Sequence, residues 1–159
     1  VIGIQEVMEA TQSTFISSTF WTERIGPTAA LKALEVMERE KSWEQITSTG
    51  KTIGNRWHAL AEKHGLPIQI SGLPALVNFN IPVDNWLKYK TLISQEMLKQ
   101  RYLAANSVYV CIEHTDKVVD AYFEKLDSVF SIIMDCENGQ DVDKLLEGPV
   151  CHAGFKRLN

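Results

Sequence analysis

The sequence has little cysteine, no cluster of basic residues and no long apolar run. Only three of its 159 residues are cysteine, at positions 111, 136 and 151, which favours reduced thiols in a cytoplasmic protein over a disulfide framework. Its 16 Lys and Arg residues are mixed with 20 Asp and Glu residues, so we expect no nucleic-acid partner. No apolar run approaches the ~20 residues that span a bilayer, so we expect no membrane partner.

The chain also lacks an initial methionine and begins Val1-Ile2-Gly3-Ile4. The edge of a domain is usually polar and frayed, so this apolar start predicts a strand that has been cut, and hence a fragment of a longer protein. The composition is 45% hydrophobic and 23% charged. A chain of this size, in the range of roughly 100–200 residues typical of one domain, can bury a core of its own.

The apolar pattern predicts helices that alternate with two strand regions. Helices are expected as a turn at 6–11, after Pro27, after a capping box at 42–45, after 84–85, and after a cap at Thr115. Strands are expected at 68–81, with a bend at Gly72 and Pro74, and at 107–112. This order predicts an α+β (two-layer α/β) fold, with a small, at least partly antiparallel sheet and helices packed on one face.

Two of the predicted helices carry clear buried stripes. Apolar residues recur at helical spacing in both, which is typical of a core-facing surface. The stripe residues are Ile46, Ile53, Trp57 and Leu60 in the earlier helix and Val119, Tyr122, Phe123, Leu126, Phe130 and Ile133 in the last one.

Three adjacent hydroxyl residues, Ser17-Ser18-Thr19, precede the helix that Pro27 opens. Hydroxyls and backbone N–H groups near the positive end of a helix suit a phosphate. The same residue types also cap loops and helices without any ligand. With so little glycine nearby, the local pattern alone favours capping.

The other reactive residues give weaker patterns. Cys151-His152 has the residue types of a nucleophile and base, but adjacent residues seldom form such a pair. Cys111 and His114 have a CxxH spacing without a second ligand pair, so no zinc site is expected. Glu23-Arg24 could clamp a carboxylate, although a surface ion pair is the simpler interpretation. His114-Thr115-Asp116 is typical of a helix start.

No lysine has the sequence context of a covalent catalyst. A lysine that forms a Schiff base needs a lowered pKa, obtained by burial or a neighbouring positive charge. Ten of the lysines fall mostly on the polar sides of helices, at positions 32, 41, 51, 63, 88, 90, 99, 117, 125 and 144. The residues themselves therefore indicate no catalytic centre and no metal site in this chain.

The first 38 residues, VIGIQEVMEATQSTFISSTFWTERIGPTAALKALEVME, resemble a segment of class III pyridoxal-phosphate aminotransferases. The segment is the one just after the cofactor lysine, and glutamate-1-semialdehyde aminomutase-like enzymes are the most similar subgroup. The shared features are an apolar-Gly step, a Glu-Val-Met turn, a Ser/Thr-rich loop and an alanine-rich helix. Further along, 70–79 resembles a strand of the family's small domain, and 103–116 resembles its strand followed by an H-T-D helix start.

This resemblance implies the C-terminal part of a fold-type I enzyme. Residues 1–26 would be the end of the large domain with its interface loop, and 27–159 the small domain. Such enzymes are homodimers with active sites at the subunit interface and act on small amino substrates. Ser18 and Thr19 would bind the phosphate of pyridoxal 5'-phosphate held by the neighbouring subunit, while Phe20 and Trp21 would fill the interface.

Two departures from the family pattern limit what the resemblance implies. The family commonly has Gly-Asn-Pro before the helix, whereas this chain has Thr22-Glu23-Arg24-Ile25-Gly26-Pro27, so the substrate cannot be assigned as glutamate semialdehyde. The family's Schiff-base lysine and the aspartate that pairs with the cofactor ring fall upstream of Val1, so the chain is expected to be inactive alone. The alternative hypothesis is a stand-alone, non-catalytic α/β interaction module.

Overall fold

The computed structural model describes residues 3–13 and 23–153. The chain divides into two compact units, Val1–Glu40 and Lys41–Asn159. The predicted boundary between 1–26 and 27–159 concerns the domains of a longer enzyme, and it stays a prediction. In the described ranges, none of the helices has the combination of length and apolar character that a membrane span needs.

The first unit is helical where it is described. Helix α1 spans Gln5–Glu9 and continues into a 3-10 turn at Ala10–Ser13, which confirms the predicted turn at 6–11. Helix α2 spans Ile25–Glu40, with Pro27 in the first turn, where its missing N–H costs nothing. Gly3 and Ile4 lie outside any strand, so this half of the predicted VIGI strand is wrong. Val1 and Ile2 fall outside the described residues.

Helix α3, Ser42–His64, begins differently from the prediction. Lys41 precedes it in the left-handed conformation, with φ of 46°, and its carbonyl accepts the N–H of Glu44 at 2.9 Å. Ser42 is therefore already helical, and its buried hydroxyl has no hydrogen-bond partner in the described structure. The predicted capping box is wrong because the helix begins one residue too early for Ser42 to cap it. The other end is as predicted, with Gly65 in the left-handed cap at φ of 70°.

The second unit contains a three-stranded antiparallel sheet. Strands β1 (Gln69–Leu73) and β2 (Leu76–Asn80) form a hairpin, and β3 (Ser107–Tyr109) pairs with the other side of β2. The predicted interruption at Gly72 and Pro74 is the turn of this hairpin, and Gly72 has the positive φ, 89°, that the bend requires. The antiparallel pairing confirms the predicted sheet.

Three helices pack with this sheet to form one core. Helix α3 packs on β1 and β2, while α4 (Trp86–Lys99) and α3 both pack on α5 (Asp116–Glu137). Trp57 and Phe79 lie fully buried at the centre, with ring centroids 4.7 Å apart in a T-shaped arrangement. Both predicted stripes face this core. The members of the stripes that are buried are Ile53, Trp57, Val119, Phe123, Leu126, Phe130 and Ile133.

Strand β3 is shorter than the predicted 107–112. The N–H of Val110 still donates to the carbonyl of Ala75 at 3.0 Å, but the chain then turns. The N–H of Cys111 donates to the Nδ1 atom of His114 at 3.0 Å, and the N–H of His114 donates back to the carbonyl of Cys111 at 3.1 Å. This reciprocal turn ends the strand before α5. Thr115 is at the N-cap position, as predicted, but its side chain makes no capping hydrogen bond.

Candidate functional site

The two residues predicted to bind the cofactor phosphate, Ser18 and Thr19, lie outside the described residues. The same holds for Phe20 and Trp21, which were predicted to fill an interface. These assignments therefore stay predictions. The structure does describe the beginning of α2, the positive helix end near which these hydroxyls could suit a phosphate.

The start of α2 is capped by its own chain. The carboxylate of Glu23 accepts the N–H groups of Ile25 and Gly26 at 2.8 and 2.9 Å. A Cβ atom on Gly26 would lie 2.7 Å from a carboxylate oxygen of Glu23, so glycine makes room for this cap. Pro27 has no N–H, and the N–H of Thr28 donates to the carbonyl of Arg24 at 3.0 Å. Glu23 is thus a helix cap rather than the predicted half of an ion pair.

This cap changes how the hydroxyl loop could hold an anion. The first-turn donors that usually bind phosphate at a helix start are all used or missing in α2, and a carboxylate already sits at its positive end. An anion held by Ser18 and Thr19 must therefore be bound by the loop itself and by groups from elsewhere. The expected contribution of free N–H groups from α2 is not available.

Helix α2 exposes its apolar surface. Leu31 is 70% exposed and Leu34 60% exposed, and no residue of the helix is buried. Ile4 in the preceding segment is 67% exposed. Exposed apolar side chains of this kind mark a surface that can contact another protein segment.

The cysteine and histidine pairs have structural roles. Cys151 is tied to α4, because its N–H donates to the Thr91 hydroxyl at 2.9 Å and its thiol lies 3.5 Å from the carbonyl of Leu87. His152 is exposed. Cys111 and His114 meet through the backbone of Cys111 rather than through sulfur. Across the described ranges, no group of acidic, histidine and cysteine side chains could hold a metal ion.

None of the ten lysines named from the sequence is buried. Lys99 lies 2.7 Å from the carboxylates of both Glu96 and Glu147. The hydrogen bond to Glu147, followed by the one to Glu96, raises the pKa of Lys99 above its ordinary value. A Schiff-base lysine needs the opposite shift, so Lys99 does not suit that role.

A cavity of about 330 Å³ lies beside β3 and is called the β3 pocket here. Besides apolar residues, it is lined by three tyrosines, a serine and a histidine. Its lining residues are Ile53, Tyr102, Leu103, Ala104, Ser107, Val108, Tyr109, His114, Val118, Val119 and Tyr122. Apolar walls and polar groups occur together in it, as in ligand sites generally.

The sequence did not reveal this pocket. Tyr122 was assigned to the core on helical spacing, and it is half-buried and lines the pocket. A polar aromatic residue at the margin of an apolar stripe is the signal that could have indicated it.

The outermost residues of the hairpin form a second exposed apolar feature. Leu73 pairs with Leu76, and Leu76 pairs with Tyr109, so the three side chains form one row across the sheet. Leu73 is 73% and Tyr109 76% exposed. This row faces away from α3, since the next row, which contains Val77, is the one that faces the helix. The hairpin tip is therefore an open apolar surface.

With the sheet and helices defined, the comparisons with known proteins give the class of protein. No protein-family model matches the chain. The 3-aminobutyryl-CoA aminotransferase of Cloacimonas acidaminovorans (strain Evry) is 28% identical over an alignment of 142 residues, which covers 81% of this chain and 34% of that enzyme. The similarity to an aminotransferase agrees with the family resemblance in the sequence.

A solved structure shares the fold of this chain. The structure of the FumI protein of Sphingopyxis sp. MTA144, in its pyridoxal-phosphate internal aldimine form, superposes with a TM-score of 0.73 over 91% of this chain and 35% of that one. At 17% identity this likeness shows the fold alone, and it confirms the α+β assignment. The chain spans about a third of the length of both proteins.

Proposed function

We propose that this chain is the C-terminal part of a pyridoxal-phosphate-dependent aminotransferase or aminomutase. The observation that carries the proposal is the similarity to an aminotransferase along most of the chain. Pyridoxal phosphate, when bound to such an enzyme, supplies the electron sink for amino-group transfer. The parent would act on a small amino compound in the cytoplasm as a homodimer.

The described residues do not form a site for the cofactor by themselves. None of the ten lysines is buried, and Glu23 already occupies the first N–H groups of α2. We propose that the covalent attachment comes from another part of the parent enzyme and that this chain is inactive alone. Its contribution would be the hydroxyls of Ser18 and Thr19, offered to the cofactor phosphate across the dimer, and one wall of the substrate pocket.

The exposed apolar surfaces favour this proposal over a stand-alone interaction module. A complete module is expected to bury its large apolar side chains, whereas Leu31, Leu34 and Leu73 are all at least 60% exposed. A patch of this kind indicates a missing contact surface. Dye binding tests the distinction: the chain should enhance the fluorescence of a hydrophobic dye and self-associate. A monodisperse monomer without dye binding would favour the module.

A direct test of the proposed function uses the chain with free pyridoxal phosphate. After borohydride reduction, intact-mass and peptide analysis should find no stoichiometric adduct on any one lysine. A single lysine modified to completion would contradict the claim that the catalytic amine lies elsewhere. The longer protein encoded by the natural gene should, in contrast, carry one such adduct and transfer amino groups.

The same longer protein tests the two hydroxyls. Ser18→Ala and Thr19→Val should each weaken cofactor binding by about tenfold, as loss of a hydrogen bond to a charged group costs about 1.5–3 kcal/mol. Ser128→Ala is the matched control, because that hydroxyl donates only to the Lys125 carbonyl of its own helix. Unchanged cofactor affinity in both loop variants would remove Ser18 and Thr19 from the phosphate site.

A further inference from the structure

We propose that the β3 pocket binds a small, uncharged acyl compound, meaning an apolar group that carries a carbonyl oxygen. The pocket has about 330 Å³ of space, within the range of about 300–1,000 Å³ that small-molecule sites occupy. This inference concerns binding by the described residues and does not depend on amino-group transfer.

The first polar group directed at such a ligand is the hydroxyl of Tyr122. The indole N–H of Trp57 donates to this oxygen at 3.0 Å, so the phenolic proton is left to donate elsewhere. No acceptor for it occurs in the described structure. Burial raises the pKa of Tyr122, so the hydroxyl keeps its proton at neutral pH. It therefore offers a hydrogen bond to a ligand oxygen.

The second donor is His114, which also lines the pocket. Its Nδ1 atom accepts the N–H of Cys111 at 3.0 Å. In a neutral imidazole the ring proton must then be on Nε2, and no partner of Nε2 occurs in the described ranges. The ring presents a fixed donor at the pocket, and the turn that ends β3 holds it there.

The free edge of β3 adds main-chain groups beside these side chains. The main-chain groups of Asn106 and Val110 point toward β2. The carbonyl of Asn106 accepts the N–H of Phe79, and the N–H of Val110 donates to the carbonyl of Ala75. In an antiparallel strand the direction alternates, so Ser107 and Tyr109 direct theirs away from β2. Both residues line the pocket. An amide or ester in the pocket would find N–H donors along this edge.

The charge of the lining decides between ligand classes. It contains no lysine, arginine, aspartate or glutamate. A charged ligand would therefore lose its hydration without gaining an oppositely charged side chain in the lining. The apolar floor, formed by Ile53, Val108 and Val119, favours an aliphatic or aromatic body. A neutral carbonyl compound satisfies both the donors and the floor, whereas a carboxylate or an amine does not.

The test is an NMR titration of the whole chain with three probes of similar shape: benzamide, styrene and benzoate. Benzamide should move the indole N–H resonance of Trp57, because a carbonyl bound to Tyr122 changes the hydroxyl that accepts this N–H. Styrene lacks the acceptor and benzoate is charged, so both should bind several-fold more weakly. Equal binding of styrene, tighter binding of benzoate, or no response to benzamide would each overturn the proposal.

Two variants show where the probe binds. Val118→Trp, at a rim position that is 43% exposed, should fill the pocket and abolish the response to benzamide without disturbing the core. Leu98→Trp is the matched control, since Leu98 is 57% exposed on α4 and does not line the pocket. It should bind as the wild type does. Benzamide binding that survives Val118→Trp would place the ligand elsewhere and reject the site.

A third variant tests the donor. Tyr122→Phe keeps the ring and removes the hydroxyl, and it should weaken benzamide binding about fivefold, as expected for one neutral hydrogen bond, while leaving styrene binding unchanged. Because this variant lacks the hydroxyl that accepts the Trp57 N–H, probe binding is followed through the amide resonances of Ser107 and Tyr109 instead. An equal loss for both probes would mean that the hydroxyl supports the fold and does not contact the ligand.

Discussion

Gly50 of α3 lies directly against the hairpin turn: a Cβ atom placed on it would be 1.8 Å from the carbonyl oxygen of Pro74. Real Cβ atoms do not approach an oxygen so closely, and both partners are backbone, so neither can move aside as a side chain would. The hairpin therefore reaches α3 at this point only because residue 50 has no side chain. One helical turn further on, Gly54 has more room, since its Cβ would lie 3.4 Å from Ile70.

This contact predicts opposite effects for two glycine-to-alanine changes on one helix. Gly50→Ala should lower the free energy of unfolding by about 2–3 kcal/mol, because the overlap outweighs a gain in helix propensity of about 1 kcal/mol. Gly54→Ala should keep most of that gain and raise stability by up to about 1 kcal/mol. Urea unfolding followed by circular dichroism measures both. Similar effects from the two variants would contradict the packing described at Gly50.

The repeating elements of this fold could be predicted from the sequence, whereas its junctions could not. The stripe through Val119 and Phe123 and the alternation through Val77 and Phe79 follow from periods of 3.6 and 2, which depend only on neighbouring residues. The boundaries at Lys41 and His114 depend on where the chain must turn to keep the elements packed. The local pattern therefore predicted a cap at Ser42 and a longer β3, and both predictions were wrong.

The candidate site shows the same limit. The β3 pocket combines side chains from α3, β3, the loop before it and the start of α5, and no local pattern reports such a combination. Glu23 as a cap was also missed, because a carboxylate beside an arginine suggested an ion pair. The family resemblance, carried by the order of several motifs, gave what the individual residues could not: a hypothesis for the class of protein.

A second prediction concerns Arg101, which ends α4 in the left-handed conformation with φ of 68°. The N–H of Arg101 donates to Leu98 and that of Tyr102 to Met97, the two hydrogen bonds of a Schellman motif whose left-handed position favours glycine. Arg101→Gly removes about 1–2 kcal/mol of strain against a backbone entropy cost of about 0.5–1 kcal/mol. The variant should be more stable by up to about 1 kcal/mol.

Gly65 provides the matched control for Arg101. It has φ of 70°, and an added Cβ would meet nothing closer than the Met134 side chain at 4.0 Å. Gly65→Ala therefore introduces backbone strain without a clash, and it should lower the free energy of unfolding by up to about 1 kcal/mol. Thermal unfolding of the two variants should shift the midpoint in opposite directions. A shift in the same direction would mean that backbone conformation does not decide stability at these helix ends.

A third prediction concerns pH and Asp127 of α5. Its carboxylate accepts hydrogen bonds from Lys63 at 2.6 Å and from His64 at 2.5 Å, and these contacts, that of Lys63 first, lower its pKa. A group with a lowered folded pKa contributes stability above its unfolded pKa, about 3.9 for aspartate, and loses it as the pH falls through the folded value. Asp127→Asn should therefore cost stability at pH 7 and little or nothing in strong acid.

The size of that effect is limited by solvent. Lys63 and Asp127 are 60% and 36% exposed, so we expect a loss of no more than about 1 kcal/mol at neutral pH. Urea midpoints of wild type and variant at several pH values give the difference. Asp135→Asn is a control, because Asp135 is on the same helix and exposed, and its side chain makes no ion pair in the described structure. A cost for Asp127→Asn that is the same at all pH values would contradict the linkage.

The last prediction uses the three thiols to measure how the second unit opens. Cys111 is exposed, Cys151 is half-buried against α4, and Cys136 is buried in α5. Burial, followed by the nearby charges of Asp135, Glu137 and Asp141, raises the pKa of Cys136, which lowers its thiolate fraction as well as its accessibility. Alkylation by iodoacetamide, followed by peptide mass spectrometry, should therefore modify Cys111 first, Cys151 next and Cys136 last.

Because α5 supplies much of the core, Cys136 should react only at the rate of unfolding, and its modification should rise in urea together with the loss of helical signal. Cys111→Ser is the control that removes the most exposed thiol, and it should leave the rate at Cys136 unchanged. Modification of Cys136 in native buffer as fast as that of Cys111 would mean that α5 opens locally without unfolding of the core.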